Sequence, residues 1–440
     1  MELEEFLGLY VFGADHARGM TVVTKNFYLP LIQTLQAAFD QMQRTNSLNF
    51  NTLFAGTEEQ FEALGFRTKQ KRGIENILIN DIVDVMGDFI LKSGFIRELR
   101  ANHPSARITL LVNDYTYPLA ALCPYVNEVL HCDVRVPPTA DMPLRLLMKT
   151  AEFAANNLWQ RHFTTSICPQ PGGFKLPPLF MSYFSGAAER IGYSDQNNVG
   201  NMFFNRPIEC PKEVGHEAAR AFYILTANGL KVHSTNLELW YDAADILSVE
   251  RFLSALAPDK KRITIGLGAG NVNRKYPAAQ YVEALKEIEK RGANFVLVGG
   301  TSEADDARVI EKGLAGRSVV NLVGRLNLRE TTAAIAMTDM YIGNDSGAMH
   351  AAAAAHIPVI AIWREARDKA NEFIERGLPS EYHMFSPWQT QSIVLRPEHP
   401  LDECQDTTLY GGCRYYERQH CIAQVQPREI VEAYDKILGG

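Results

Sequence analysis

From residue 74 onwards, short apolar runs alternate with longer amphipathic segments. The apolar runs are too short for helices and are bounded by turn residues, so they predict buried strands at 77–79, 108–112 and 128–130. The segments between them repeat their apolar residues at helical spacing, which predicts helices at 89–100 and at about 143–159. Residues 190–193 close this first half, and a polar helix at about 213–228 follows.

The same alternation restarts at Arg262. It predicts strands at 263–267, 295–298, 319–320, 340–342 and 359–362, helices at 278–291, 303–314 and 328–336, and a last helix at 427–438. Strands that alternate with helices indicate a parallel sheet covered on both faces. We therefore predict an α/β fold of two doubly wound, Rossmann-like domains, at 73–245 and 246–440, facing a cleft in which a ligand binds.

Residues 1–72 precede this alternation and predict a helical N-terminal extension. An apolar stripe runs through Ile32, Leu35, Phe39 and Met42, and Thr57 with Gln60 forms a capping-box pattern. Two interpretations stay open. The extension packs against the main body, or it forms a surface for homo-oligomerisation or for a partner protein.

Composition narrows the class of protein. The chain has 440 residues, of which 46% are hydrophobic and 22% charged, as expected for a globular protein of two or three domains. A net charge of -7 argues against a surface that coats nucleic acid. The start of the chain is acidic, unlike a secretory signal, and no apolar stretch reaches the roughly 20 residues that cross a bilayer. We therefore expect a cytoplasmic protein.

Seven cysteines are present, and we expect four of them to be reduced thiols: Cys123, Cys132, Cys168 and Cys210. The other three, Cys404, Cys413 and Cys421, crowd near the C-terminus beside His420. Their spacing matches no standard zinc pattern, so they are only weak candidates for a metal clip, and we expect no metal and no required cofactor.

The segment 341–350 carries the clearest chemical signal. An apolar strand ends at Ile342, small residues follow from Gly343 to Gly347, and an Ala-rich helix begins near His350. Free backbone N–H groups and the positive end of the helix dipole suit an anion such as a phosphate. The alternative is that Asn344, Asp345 and Ser346 only cap the helix.

Two further turns follow predicted strands of the second half. The stretch 266–271, which includes Gly268, resembles a dinucleotide glycine loop, and Arg274 and Lys275 come just before a helix, where they suit a bound diphosphate or are simply solvated. Glu303 follows a Gly-Gly turn and either stabilises the helix dipole or reaches a ribose hydroxyl. Because strands of an open parallel sheet present their carboxyl ends at one edge, we expect these turns to meet there.

In the first half, Asp88 follows Gly87 at the entry to a helix. It either caps that helix or, across the cleft from a bound leaving group, accepts a proton from an attacking hydroxyl. Asp81 and Asp84 are nearby alternatives for this base.

Taken together, these motifs resemble those of glycosyltransferase family 9, the heptosyltransferases of lipopolysaccharide synthesis. The resemblance covers about residues 74–438, and its motifs are Met86-Gly87-Asp88, Arg97-Glu98-Leu99-Arg100 with Pro104, Arg274-Lys275-Tyr276-Pro277, Gly299-Gly300 with Glu303, Asn321-Leu322-Val323-Gly324, and Gly343 to Gly347 with His350. Each motif is weak alone, but their order and spacing together are specific.

The resemblance implies a GT-B architecture and an inverting, metal-independent transfer of a sugar, typically heptose from ADP-heptose, to a hydroxyl. Asp88 matches the general base, and the implied donor-binding positions are Gly268, Arg274, Lys275, Glu303, Gly324, Asn344, Asp345, Ser346, Gly347 and His350. The implied partners are the nucleotide-sugar donor and a glycan, lipid-linked or protein acceptor, with peripheral contact at the inner membrane.

Three departures from the family pattern leave the acceptor open. Arg274 stands where the family often has Lys, Tyr276 replaces a usual Trp, and residues 1–72 have no counterpart. Two other functions stay open. One is a nucleotide-sugar epimerase or hydrolase of the same shape, and the other is a non-catalytic assembly protein that kept the nucleotide pocket.

Overall fold

A computed structural model of the chain describes residues 75–82, 85–136, 142–170, 176–194, 203–314, 318–369, 380–401 and 418–438. The helices predicted within residues 1–72, and the roles suggested for that extension, lie outside the described residues.

The first half forms a six-stranded parallel sheet with the strand order β3-β2-β1-β4-β5-β6. Register is set by apolar pairs such as Ile77 with Ile108. The elements in chain order are β1 Asn76–Asn80, α1 Met86–Ile90, α2 Ser93–Asn102, β2 Arg107–Asn113, α3 Tyr117–Ala120, β3 Glu128–Cys132, α4 Met142–Asn157, β4 Thr165–Ile167, α5 Leu176–Phe184, β5 Glu189–Tyr193, β6 Arg206–Ile208 and α6 Glu217–Thr226.

The second half repeats this plan with the strand order β12-β11-β10-β7-β8-β9. Its elements are α7 Ala243–Leu253, β7 Lys261–Gly266, α8 Ala278–Glu289, β8 Ala293–Val298, α9 Ala304–Gly313, β9 Val319–Asn321, α10 Leu328–Ala336, β10 Met340–Asn344, α11 Gly347–Ala354, β11 Val359–Ile362, α12 Glu381–Phe385, β12 Ser392–Leu395 and α13 Pro427–Leu438. Short 3-10 turns lie at Trp159–Arg161, Val272–Arg274, Thr301–Glu303 and Cys421–Gln424.

Both sheets therefore follow the order 3-2-1-4-5-6 of a dinucleotide-binding fold, and the predicted α/β architecture of two doubly wound, Rossmann-like sheets is confirmed. Every residue of β8 is buried, as expected for a central parallel strand covered on both faces. In such sheets the ligand crevice opens where the strand order reverses, here beside β1 and β4 in one half and β7 and β10 in the other.

Several predicted elements differ from the structure. The helix predicted at 89–100 is two helices, separated at Leu91 and Lys92, because the Lys92 ammonium turns into the interior to pair with Asp81 at 2.6 Å. Seven elements were not predicted: the helices α3, α5, α7 and α12 and the strands β4, β6 and β12. The predicted boundary at 245/246 falls inside α7, which packs on α10 of the second half.

The two halves meet through α1 and α11. One apolar cluster spans both, and in it Met86 and Phe89 of the first half join Met349 and Ala352 of the second. The carboxyl end of β1 therefore faces the carboxyl end of β10, which brings together the two turns that the sequence singles out.

Candidate active site

The turn between β10 and α11 presents the start of a helix. Ser346 is the N-cap residue in an extended conformation, and its hydroxyl makes no capping bond. The first N–H groups of a helix have no partner inside it, so this end offers donors and a positive dipole. The capping role weighed for Ser346 is therefore not what its side chain does here.

The glycines that flank this turn have a packing reason. Tyr341 is fully buried, and its phenol lies over Gly266 and Gly343 so closely that a Cβ at either position would overlap the ring. Glycine at positions 266 and 343 therefore makes room for the Tyr341 ring.

The Asn344 side chain ties the turn to the loop that follows β7. Its amide donates to Leu267 O at 2.8 Å, and its carbonyl accepts from Tyr276 N at 2.9 Å and from the Tyr281 hydroxyl at 3.3 Å. The residue is fully buried. Asn344 thus positions the loop that carries Arg274 and Lys275.

Arg274 lies at the centre of a buried charge network. Its guanidinium contacts Asp345 Oδ2 at 3.2 Å and Glu381 Oε1 at 2.7 Å. Burial raises the pKa of Asp345 to about 6, which Arg274 opposes and Glu381 reinforces. The cation predicted to face a diphosphate is therefore already oriented by two carboxylates, one of which follows β10.

Lys275 and Glu303 form a second pair at the ends of β7 and β8. The Glu303 carboxylate also accepts from Gly300 N at 2.8 Å and from the Ser302 hydroxyl at 2.6 Å. The Glu303 carboxylate therefore caps the backbone of its own turn, and its side chain is 4% exposed.

Gly268 lies beside Glu303, and Gly324 lies beside Thr301 of the same 3-10 turn. A Cβ at Gly268 would lie 3.7 Å from Glu303 Oε2. Gly324 has φ +68, which favours glycine, and a Cβ there would lie 3.0 Å from Thr301 Cγ2. Both predicted glycines therefore lie next to the turn that carries Glu303.

Asp88 lies in the first turn of α1 and is partly exposed. Its alternative Asp81 is fully buried and paired with Lys92 at 2.6 Å, so it cannot meet a hydroxyl from outside. Asp84, the third candidate, lies outside the described residues. Of the two candidate carboxylates that are described, Asp88 is the one within reach of a ligand.

The residues around Asp88 touch the second half directly. A Cβ at Gly87 would lie 2.6 Å from His350 Cδ2, and a Cβ at Gly347 would lie 2.8 Å from Met86 Cβ. Two glycines therefore permit the close approach of α1 and α11. Asp88, the general-base candidate of the first half, and the start of α11 in the second half therefore lie at one site.

His350 is buried, and its Nδ1 has no hydrogen-bond partner within the described part of the chain. Burial lowers the pKa of His350 to about 4; nearby His216 lowers it further, and Asp88 acts in the opposite direction. The imidazole is therefore neutral at physiological pH, with an unmet polar atom beside the helix start, as expected where a ligand group completes the bonding.

His216 and Glu217 lie beside this site and were not predicted to belong to it. His216 Nε2 bonds Ser386 O at 2.9 Å, Nδ1 accepts from Ala218 N at 3.1 Å, and burial lowers its pKa. Burial also raises the pKa of Glu217 to about 7, to which the charge of Asp88 adds. Only their position at the start of α6 could have drawn attention to them.

The remaining candidates concern metals and membranes. Among the described residues, no group of three or more His, Cys, Asp or Glu side chains is placed to hold a metal ion. Cys421 Sγ lies 3.2 Å from His420 Nδ1, whereas Cys404 and Cys413 lie outside the described residues. Within the described ranges, no helix is both long and apolar enough to cross a bilayer.

Comparison with known proteins shows which family and which proteins this chain resembles. Residues 178–396 match the family model described as glycosyltransferase family 9 (heptosyltransferase), a range that includes every donor-binding candidate but not Asp88. Lipooligosaccharide heptosyltransferase 2 of Haemophilus ducreyi is 23% identical over 285 residues, which cover 62% of this chain and 78% of that protein.

Two solved structures share the fold. A family 9 glycosyl transferase from Veillonella parvula superposes with a TM-score of 0.65 at 16% identity, over 84% of this chain and 99% of that one. The ADP-heptose lps heptosyltransferase II of E. coli gives a TM-score of 0.59 at 20% identity, over 83% and 98%. The chain is therefore a heptosyltransferase-like glycosyltransferase, with its family 9 match in residues 178–396.

Proposed function

We propose that this protein transfers heptose from ADP-heptose to a hydroxyl of a saccharide acceptor, with inversion at the anomeric carbon and without a metal ion. The observation that carries the proposal is the juxtaposition of α1 and α11. A partly exposed carboxylate, Asp88, and the N-terminus of a helix, Gly347, approach one another from opposite halves. Such a transfer needs a base that accepts the proton of the acceptor hydroxyl and a site that binds the anionic leaving group.

On the donor side, the diphosphate rests against the N–H groups at the start of α11, where the helix dipole favours negative charge. Arg274, oriented by Asp345 and Glu381, adds a guanidinium that can pair with a phosphate through two hydrogen bonds. Glu303 holds Lys275 and the Gly300 backbone, and so positions the turn against which the ribose rests.

On the acceptor side, Asp88 accepts the proton of the attacking hydroxyl. The new bond joins the acceptor oxygen to the anomeric carbon while the bond from that carbon to the phosphate oxygen breaks. The electron pair leaves with the diphosphate, whose charge Arg274 and the helix start stabilise. Because base and leaving group stand on opposite halves, attack comes from the face opposite the departing diphosphate, and the configuration inverts.

The test is a donor screen followed by product analysis. We expect ADP-heptose at ~100 times its dissociation constant to stabilise the full chain by roughly 2.7 kcal/mol. Other nucleotide-diphosphate sugars serve as matched controls. NMR of the product made with a lipopolysaccharide-core acceptor should show inverted anomeric configuration. A retained configuration, or no stabilisation by ADP-heptose, would refute the proposal.

The same assay separates the alternatives. An epimerase or hydrolase consumes the donor when no acceptor is present, whereas a transferase of this kind does not at a comparable rate. A non-catalytic assembly protein binds the donor but does not consume it, whether or not the acceptor is present. Donor consumption that requires the acceptor is the result we expect.

A further inference from the structure

Arg364 lies at the carboxyl end of β11 and is absent from every motif discussed above. Its Nη2 contacts Glu381 Oε1 at 2.8 Å, and Arg274 contacts the same oxygen at 2.7 Å. One carboxylate oxygen thus holds two guanidinium groups side by side. The Arg364 side chain is only 11% exposed.

The backbone places this arginine beside the candidate anion site. Strands β10 and β11 pair in parallel, and Asp345 N bonds Ile362 O at 3.3 Å where the strands end. Arg364 therefore follows β11 at the level at which the turn into α11 follows β10. Arg274 approaches the same turn from β7.

The charges next to Arg364 are held by local contacts. Glu365 accepts from the Ser380 hydroxyl at 2.7 Å and from the backbone of Glu381 and Tyr382, each at 3.0 Å. Arg396 stacks on the Tyr382 ring at 3.9 Å. Arg364 contacts Glu381 through Nη2, and its Nε, like Arg396 Nη1, is buried and donates to no acceptor among the described residues. A buried donor without an acceptor is costly, so it suits a group that a ligand completes.

We propose that Arg364 is a second cationic residue for the diphosphate of the donor. This inference rests on the proposed function and deepens it. A diphosphate carries two phosphoryl groups, and a single arginine together with a helix start engages them unevenly. With Arg364, each phosphoryl group has its own guanidinium, and Glu381 keeps both guanidinium groups oriented before the donor arrives.

The test compares two ligands that differ only in the diphosphate, ADP and adenosine, by calorimetry on the full chain. We expect Arg364→Gln to weaken ADP binding by about tenfold or more, because charge-assisted hydrogen bonds are lost, and to leave adenosine binding unchanged. Arg367→Gln is the matched control. That side chain lies three residues further along the chain, is 50% exposed and pairs with Glu398. It should leave both affinities unchanged.

A second variant guards against loss of folding. Arg364→Lys keeps the positive charge but not the planar pair of donors, so its ADP affinity should fall between those of the wild type and Arg364→Gln. Unchanged ADP binding in both variants, or equal weakening of ADP and adenosine, would overturn the inference. If Arg274→Gln still weakens ADP binding in that case, the proposed function stands. If the wild type binds no ADP, the proposed function itself fails.

Discussion

The imidazole of His350 lies against the backbone of Gly87, across the boundary between the two halves. A Cβ at Gly87 would stand 2.6 Å from His350 Cδ2 and 3.4 Å from Nε2, whereas carbon atoms in contact prefer about 3.5–4.0 Å. Position 87 therefore has no room for a side chain as long as α1 and α11 keep this approach.

We expect Gly87→Ala to separate α1 from α11 and to lower the rate of transfer. Overpacking of this kind costs about 1–3 kcal/mol. If this cost destabilises only the conformation in which α1 contacts α11, the transfer rate should fall by roughly tenfold or more. Steady-state kinetics with ADP-heptose and acceptor would measure it. Gly215→Ala is the control, because a Cβ there meets nothing within 4 Å. Equal activity of the two variants would contradict the close contact between α1 and α11.

Asn344→Ala should destabilise the protein and weaken donor binding together. The substitution leaves Leu267 O and Tyr276 N without their buried partners. Each unsatisfied group costs about 1–3 kcal/mol, so the free energy of unfolding in urea should fall by at least about 2 kcal/mol. Asn157→Ala, which loses one bond to Phe153 O within α4, should change stability far less. Similar losses in both variants would show that Asn344 does not anchor the loop.

The low pKa of His350 predicts a defined dependence of stability on pH. Its pKa is about 4 in the folded protein and 6.5 ordinarily, so below pH 6.5 the unfolded chain takes up a proton that the folded chain does not. Relative to His350→Gln, the wild type should lose up to about 3 kcal/mol of unfolding free energy as the pH falls from 6.5 to 4.

The control for this measurement is His399, whose pKa an exposed pair with Asp368 raises. Relative to His399→Gln, the wild type should gain stability over the same fall in pH, the opposite sign. Urea unfolding at several pH values measures both. A His350 difference that does not vary with pH would mean that the residue is not buried as the structure has it.

Much of the fold could be predicted from sequence because its signals are local. The helix predicted at 328–336 matches α10, which begins with a capping box of Asn327 and Glu330, and the apolar run 359–362 matches β11. The strands β4 and β6 have three residues each, too few for any periodicity, and only their pairing with neighbouring strands defines them.

The candidate site also contains residues with a local sequence signal and residues without one. Asp88 and Arg274 were predicted because each lies beside a strand-to-helix turn. Their partners were not predicted: Glu381 lies 107 residues from Arg274 in sequence, and the packing of the two halves alone brings His350 to Gly87. Interactions over such separations leave no pattern in a single sequence.

The most direct test of the proposed transfer is to measure donor affinity and transfer rate on one variant, Asp88→Asn. The amide cannot accept the proton of the acceptor hydroxyl, so the transfer rate should fall by roughly 100-fold or more, while ADP-heptose binds with unchanged affinity. Asp114→Asn, whose carboxylate is exposed at the end of the neighbouring strand β2 and pairs with His131, should transfer normally. If Asp88→Asn transfers heptose at the wild-type rate, Asp88 is not the general base and the proposed mechanism is contradicted.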